Sequence, residues 1–205
     1  MKIIAFLSQK GGSGKTTLAV HSAVAAIESG ERVVVVDTDP QKSATVWASA
    51  RRAGTPIVAT AAPGDVPRVL RAAEDEGMTL AVLDTAPHAA PEAGRIARAA
   101  HLVVIPCRPT AFDMAAVEAS VRIVRAAQAR SVIVLSACPP RAPEVGEARE
   151  ALAAYGLPIA PVEITERRAF ARAIASGRAV TEFEAEGKAA AEIRALWAWI
   201  QEQTR

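Results

Sequence analysis

Short apolar runs rich in Val and Ile alternate along this chain with longer, alanine-rich stretches whose apolar positions recur at helical spacing. The runs at 3–7, 32–36, 57–61, 80–83, 102–105, 131–135 and 159–162 predict strands. The stretches at 15–29, 42–52, 66–76, 91–99, 112–129, 145–155, 167–176 and 187–203 predict helices. Such alternation implies an α/β fold, a mostly parallel twisted sheet with helices on both faces. Residues 33–36 and 102–105 are apolar throughout, as strands covered on both sides must be. Punctuation agrees with these limits. Gly30 and Gly156 stand where helices need a left-handed cap, and Pro106 and Pro109 stop the fifth strand. In the last helix Ile193, Leu196, Trp197 and Ile200 form one apolar stripe that should dock on the domain. No repeat or long linker interrupts the pattern, so a single domain over 1–205 is expected.

Composition narrows the class. With 51% hydrophobic and 22% charged residues, the chain is neither disordered, collagen-like nor coiled coil. A net charge of +2 leaves room only for a local nucleic-acid surface. Lysine occurs solely at Lys2, Lys10, Lys15, Lys42 and Lys188, so each one carries information. Cys107 and Cys138 have no second thiol at metal or redox spacing, which fits a reducing compartment. His21, His88 and His101 have no partner at metal or triad spacing, and only His88 falls near the candidate chemistry below. The first apolar run is too short for a signal peptide, and no run is long enough to span a bilayer; a cytoplasmic protein is expected.

Ligands of such sheets gather beyond the carboxyl ends of the strands. After the first strand stands Gln9-Lys10-Gly11-Gly12-Ser13-Gly14-Lys15-Thr16-Thr17, followed at once by a helix. Glycines let backbone N–H groups wrap phosphate oxygens at a helix N-terminus, Lys15 would reach the β and γ phosphates, and the Thr16 hydroxyl would ligate Mg²⁺. Gln9 occupies a position where the strict phosphate-loop pattern has glycine. The second strand ends in Asp37-Thr38-Asp39-Pro40, and the fourth in Asp84-Thr85-Ala86-Pro87. Carboxylates so placed can reach Mg²⁺, its water shell or the water attacking a γ-phosphate. The alternative for Asp39-Pro40 is a turn that starts the next helix.

Lys10, just before the double glycine, makes the loop a deviant Walker A motif. With the paired aspartates and the strand ending in Asp84, the chain resembles the ParA/MinD family of P-loop ATPases, most of all its short, ParF-like partition members. That resemblance implies a P-loop NTPase fold, ATP and Mg²⁺ as ligands, and no N-terminal helix-turn-helix extension. It places Lys10, Gly11, Gly12, Ser13, Gly14, Lys15, Thr16 and Thr17 around the nucleotide. Thr16, Asp37 and Asp84 would serve the metal, and Lys10, Lys15 and Asp39 catalysis, with Asp39 activating water. In the family the early lysine reaches the phosphates held by a partner subunit, so Lys10 implies an ATP-dependent homodimer. Residues 84–87 resemble the segment that senses the γ-phosphate. Residues 106–113 resemble a loop on the nucleotide and dimer surface, where Arg108 is either a contact or an ordinary exposed arginine. Residues 136–141 fall where the family completes its adenine pocket, with no residue to carry over.

Arg167, Arg168 and Arg172 open the helix at 167–176 and resemble the family's cationic DNA-binding region; the alternative is ion pairing with Glu163, Glu166 and Glu182. The last helix balances its charges, unlike the basic membrane anchor of MinD-like proteins, so no membrane contact is expected. The implied function is DNA partition. An ATP-bound dimer would sit on nucleoid DNA without sequence preference, and a centromere-binding adaptor of the ParB/ParG kind would stimulate a slow ATPase. The same machinery could position a protein cargo such as a chemosensory cluster, a carboxysome or cellulose-synthesis machinery. A small-molecule P-loop kinase is the third reading; it gives Lys10 no role across subunits.

Overall fold

In the computed structural model, which describes residues 1–87 and 90–205, six of the apolar runs become parallel strands. They are β1 (Lys2–Phe6), β2 (Val33–Asp37), β3 (Ile57–Thr60), β4 (Leu80–Asp84), β5 (Leu102–Cys107) and β6 (Ser131–Leu135). Their order across the sheet is β3-β2-β4-β1-β5-β6. The helices are α1 (Lys15–Glu28), α2 (Ser43–Ala50), α3 (Val66–Asp75), α4 (Ala90–Ala99), α5 (Ala111–Ala126), α6 (Pro143–Ala153), α7 (Arg168–Ala175), α8 (Val180–Phe183) and α9 (Lys188–Gln203).

Alternation along each strand separates two cores. Ile4, Phe6, Val33, Val35, Val82 and Val104 pack with α1, α2, α7 and the Ile193, Leu196, Trp197, Ile200 stripe of α9. Ala5, Leu7, Val34, Val36, Leu83 and Ile105 pack with α3 through α6 on the other face. The sheet is therefore covered on both faces, which is why β2, β4 and β5 are buried at every position, while the edge strand β3 stays partly exposed. Gly30 (φ 97) and Gly156 (φ 65) take the left-handed conformation after their helices. Among the described residues no helix is long and apolar enough to cross a membrane.

Three local departures from the sequence pattern matter for the site. Strands β2 and β4 run one residue further than predicted and end on Asp37 and Asp84, which are register partners. Two carboxylates thus stand side by side at the sheet centre. The run at 159–162 forms no strand; it meets β6 through an Ile133–Ile159 bridge, with Ala160 N–H donating to Ile133 O at 2.9 Å and Ile164 N–H to Leu135 O at 3.0 Å. Pro158 and Pro161 have no N–H and interrupt the ladder, though the segment still shields the β6 edge; Pro106, expected to stop the fifth strand, instead lies within β5 in register with Val134. The single turn of α8 is too short for periodicity to announce.

Helix α8 is held by His21 of α1, which is fully buried: its Nδ1 accepts the Val180 N–H at 3.1 Å, and its ring meets Phe170 edge-on at 5.1 Å. Burial pushes the His21 pKa down from 6.5 to about 3, against a weaker upward pull from Glu182. The folded chain keeps this imidazole neutral where the unfolded chain protonates it. Stability is therefore unaffected above pH 6.5 and falls as pH drops from there toward 3. At pH 5 the loss is about 2 kcal/mol. The urea midpoint should decline correspondingly, and His21→Asn, which keeps an acceptor for Val180, should flatten the decline; an equal slope in the variant would contradict this assignment.

Candidate phosphate-binding site

The loop from β1 to α1 is shaped by Gly12 (φ 75) and Gly14 (φ 98), conformations that side-chain-bearing residues rarely adopt. Gly14 precedes α1 without a side-chain cap, so the first N–H groups of that helix are open to an anion. Lys15 begins α1 and is buried, its Nζ donating to Lys10 O at 3.0 Å. Burial lowers its pKa, while Asp84 and Asp39 pull the other way. Beneath the loop, Ser136 Oγ donates to Ser13 O at 2.8 Å and would lie 3.4 Å from a Cβ on Gly14. Ser136 follows β6 and holds the cradle open from below; nothing local in the sequence pairs it with a residue 123 positions away.

Thr16 Oγ1 donates to Asp84 Oδ2 at 2.7 Å. The other carboxylate oxygen of Asp84 is buried without a hydrogen-bond partner among the described residues. Burial raises the Asp84 pKa to about 7; the Thr16 hydrogen bond and Lys15 oppose this, and Asp37 and Asp39 add to it. A buried, underused carboxylate beside a hydroxyl is the hard oxygen set that suits Mg²⁺. Among the described residues no group of three His, Cys, Asp or Glu side chains could hold a metal. One or two carboxylates completed by phosphate and water oxygens is the usual Mg²⁺ arrangement.

Asp37 and Asp39 do different things. Asp37 Oδ2 accepts the Thr45 N–H and the Thr45 hydroxyl, both at 2.9 Å, and Oδ1 accepts the Asp39 N–H at 3.2 Å. Lys42, the cap residue of α2, sits at φ 52 and offers no side-chain cap, so Asp37 caps that helix from the end of β2. Asp39 Oδ1 accepts the Gln41 N–H at 2.8 Å, the turn geometry weighed above, and Asp39 also lines a cleft of about 330 Å³ with Gly11, Lys15, Thr16 and Pro87. A second cleft of about 340 Å³ opens on the other side of the loop, walled by Gly12, Gly14, Ser136, Ile164, Phe170 and Arg167. Only Ser136 and Ala137 come from the 136–141 segment singled out in the sequence; residues 164–174 supply most of the rest.

Lys10 points to its own chain. Its Nζ donates to Asp113 Oδ2 at 2.8 Å, an oxygen that also accepts the Thr110 hydroxyl at 2.5 Å, and it lies 5.9 Å from the ring centre of Phe112. Phe112 is 83% exposed. Seven residues along α5, Ser120 Oγ accepts the Gln9 N–H at 3.1 Å, so one helix holds the start of the loop at two points.

The three arginines predicted as a patch part company. Arg167 lines the second cleft, with Nη2 donating to Glu192 Oε1 at 2.7 Å. Arg168 and Arg172 stay exposed on α7. The acids weighed as their partners are engaged elsewhere: Glu163 with Arg149 at 3.1 Å, Glu166 with Arg108 at 3.8 Å and Glu182 with Arg51 at 2.6 Å. His88 lies outside the described residues. His101 Nδ1 accepts the Ile3 N–H at 3.1 Å, a structural contact. Cys107 and Cys138 are buried, and burial pushes both thiols up to about 12, so neither is reactive at neutral pH.

Residues 4–180 match the family model described as the CobQ/CobB/MinD/ParA nucleotide binding domain. The maintenance of carboxysome distribution protein A of Gloeobacter kilaueensis is 33% identical over 206 residues, covering 98% of this chain and 93% of that protein. The protein ParA of Rhizobium radiobacter is 30% identical over 115 residues, covering 55% of this chain and 51% of that one. Among solved structures, the cell division ATPase MinD of Pyrococcus furiosus superposes with a TM-score of 0.80 at 18% identity, covering 98% of each chain. The ATP complex of an aspartate-to-alanine variant of McdA from Cyanothece superposes with a TM-score of 0.72 at 15% identity, covering 99% of this chain and 96% of that one. The chain belongs to the CobQ/CobB/MinD/ParA family of nucleotide-binding domains.

Proposed function

We propose that this chain is a Mg-ATP-dependent positioning ATPase of the ParA type, in which two copies close face to face around bound ATP and ride on DNA until an adaptor triggers hydrolysis. The single observation that carries the reading is Lys10. It projects from the mouth of the phosphate loop, a third exposed, and among the described residues its one ion-pair partner is Asp113 of the same chain. A cation so placed, beside the exposed ring of Phe112, can leave Asp113 for the phosphates of a second copy. Breaking the pair costs about 1–3 kcal/mol because Asp113 is left buried, and contacts to a triphosphate offset that cost.

Within each copy Gly11 to Thr17 would wrap the phosphates, Lys15 would neutralise the β and γ oxygens, and the 340 Å³ cleft would take the nucleoside. Thr16 and Asp84 would hold Mg²⁺, with Asp37 shaping its surroundings through α2. The metal would supply charge neutralisation at the phosphates. Asp39 would orient the attacking water from the 330 Å³ cleft. Few groups in one copy can stabilise the transferring phosphoryl charge, which supports slow turnover without a partner.

DNA partition, with a centromere-binding adaptor and nucleoid residence, fits the similarity to ParA proteins. A protein cargo is the second reading, favoured by the nearly full-length similarity to a carboxysome distribution protein. Deleting the gene separates them: loss of plasmid or chromosome copies marks partition, and mislocalised protein assemblies with normal DNA inheritance mark the other.

Sedimentation velocity with Mg²⁺ and a nonhydrolysable ATP analogue tests the shared core. The parent should shift from monomer to dimer. Lys10→Ala should bind the analogue yet require at least ~100-fold more protein to dimerise, the equivalent of two lost charge-assisted hydrogen bonds. A Lys10→Ala protein that dimerises like the parent would sink the proposal.

A further inference from the structure

The segments that follow α2 and α7 meet in one arginine-lined cleft, although they lie far apart in sequence. On α7 the exposed positions Arg168, Ala171, Arg172 and Ala175 recur at helical spacing and make one solvent-facing stripe. Just past the end of α7, Arg178 lines a cleft of about 740 Å³ together with Arg52, which follows α2. Arg52, Arg168, Arg172 and Arg178 are all exposed, and none forms an ion pair among the described residues.

The junction between the two elements is built rigidly. A Cβ on Gly177 would fall 2.4 Å from the Ala50 carbonyl carbon, so only glycine allows this approach of the two chain segments. Arg51 donates to both carboxylate oxygens of Glu182, at 2.8 and 2.6 Å, and to Gly177 O at 2.9 Å. Trp47 Nε1 donates to Arg178 O at 3.1 Å. Glu182, the acid of this cleft, is hydrogen-bonded to Arg51 and also feels the charge of Arg178, so three arginines, Arg51, Arg52 and Arg178, face one carboxylate and the cleft stays net positive. The other end of α2 hangs from Asp37 through Thr45, so one eight-residue helix spans from the sheet's carboxyl edge to the cationic cleft.

We propose that Arg52 and Arg178 bind duplex DNA phosphates, extending the DNA surface from α7 onto α2. The proposal rests on the DNA-binding reading above and enlarges it to a residue pair that the sequence pattern did not single out. Duplex DNA fits because an extended row of unpaired guanidinium groups matches a backbone carrying one charge per about 1.7 Å of axis, and no base-reading element is required. Placing one of the contacts, Arg52, just past the end of α2 makes the row depend on the helix that Asp37 caps beside the phosphate site.

The test compares Arg52→Ala/Arg178→Ala, Arg168→Ala/Arg172→Ala and the parent. Each is titrated onto nonspecific duplex DNA over a salt series, with Mg²⁺ and a nonhydrolysable ATP analogue. Circular dichroism and thermal melting check folding, and Arg52→Lys/Arg178→Lys checks rescue by charge. The expected result is an affinity loss on the order of tenfold at low salt for the 52/178 pair, and a slope of log K against log salt shallower by about 1.8, two phosphate contacts' worth. The lysine pair should recover most of both. An unchanged curve for the 52/178 pair beside a weakened 168/172 pair would overturn the extension and leave the DNA reading standing. Parent protein that fails to bind DNA would overturn both. Equal losses on duplex DNA and on anionic phospholipid vesicles would overturn the assignment to duplex.

Discussion

Lys15→Ala is expected to reduce ATP affinity by roughly 10²- to 10⁴-fold without unfolding the protein. The amine is buried at the first position of α1 and meets a carbonyl of its own loop, Lys10 O, at 3.0 Å. Desolvation is the largest influence on its charge, which means the folded chain holds this cation at a cost. A bound triphosphate replaces one neutral acceptor with charged oxygens. Two charge-assisted hydrogen bonds are worth about 1.5–3 kcal/mol each, and that sets the expected range. Titration with a fluorescent ATP analogue measures the loss, and thermal melting should show a midpoint no lower than the parent's. Affinity within tenfold of the parent would mean that the loop holds something other than a triphosphate.

The second large effect is expected at Asp39. Removing a group that orients and deprotonates the attacking water typically slows the step by about 10²- to 10⁴-fold, so Asp39→Ala should all but stop phosphate release while ATP-bound dimer accumulates. The turn geometry supplies the control. Asp39 Oδ1 accepts the Gln41 N–H at 2.8 Å, and asparagine can keep that bond while losing the carboxylate. Asp39→Asn should therefore retain the conformation after β2 and still fail to hydrolyse. Normal turnover in the asparagine variant would reduce Asp39 to a turn former. Phosphate release alongside sedimentation separates the outcomes.

What could be read from the sequence divides along physical lines. The uninterrupted valines of β2 and the apolar run of β4 announced buried parallel strands, because a strand covered on both faces tolerates no polar position. The placement of Asp37 and Asp84 was legible for the same reason: a carboxylate ending such a run has to stand at the carboxyl end of its strand, and Asp39 follows two residues beyond β2. The run at 159–162 misled because its composition suits a strand while Pro158 and Pro161 remove the donors a ladder needs. The support beneath the site stayed hidden. Ser136 meets Ser13 across 123 positions and Asp113 meets Lys10 across 103, and no periodicity encodes contacts that only the closed sheet creates. Arg167 shares its helix start with Arg168, yet Glu192 of α9 draws it into a cleft wall, a tertiary pairing that local charge pattern does not register.

One consequence of the seam between α2 and α7 is practical. Trp47 is 2% exposed, its indole N–H is tied to Arg178 O, and the Arg51 guanidinium lies 5.0 Å from its ring centre. The remaining tryptophans, Trp197 and Trp199, both sit on α9. The protein thus carries an intrinsic optical gauge on the helix that Asp37 caps: any sliding of α2 would change the field around Trp47 and shift its emission, so a nucleotide titration of unlabelled protein reads directly whether that helix moves.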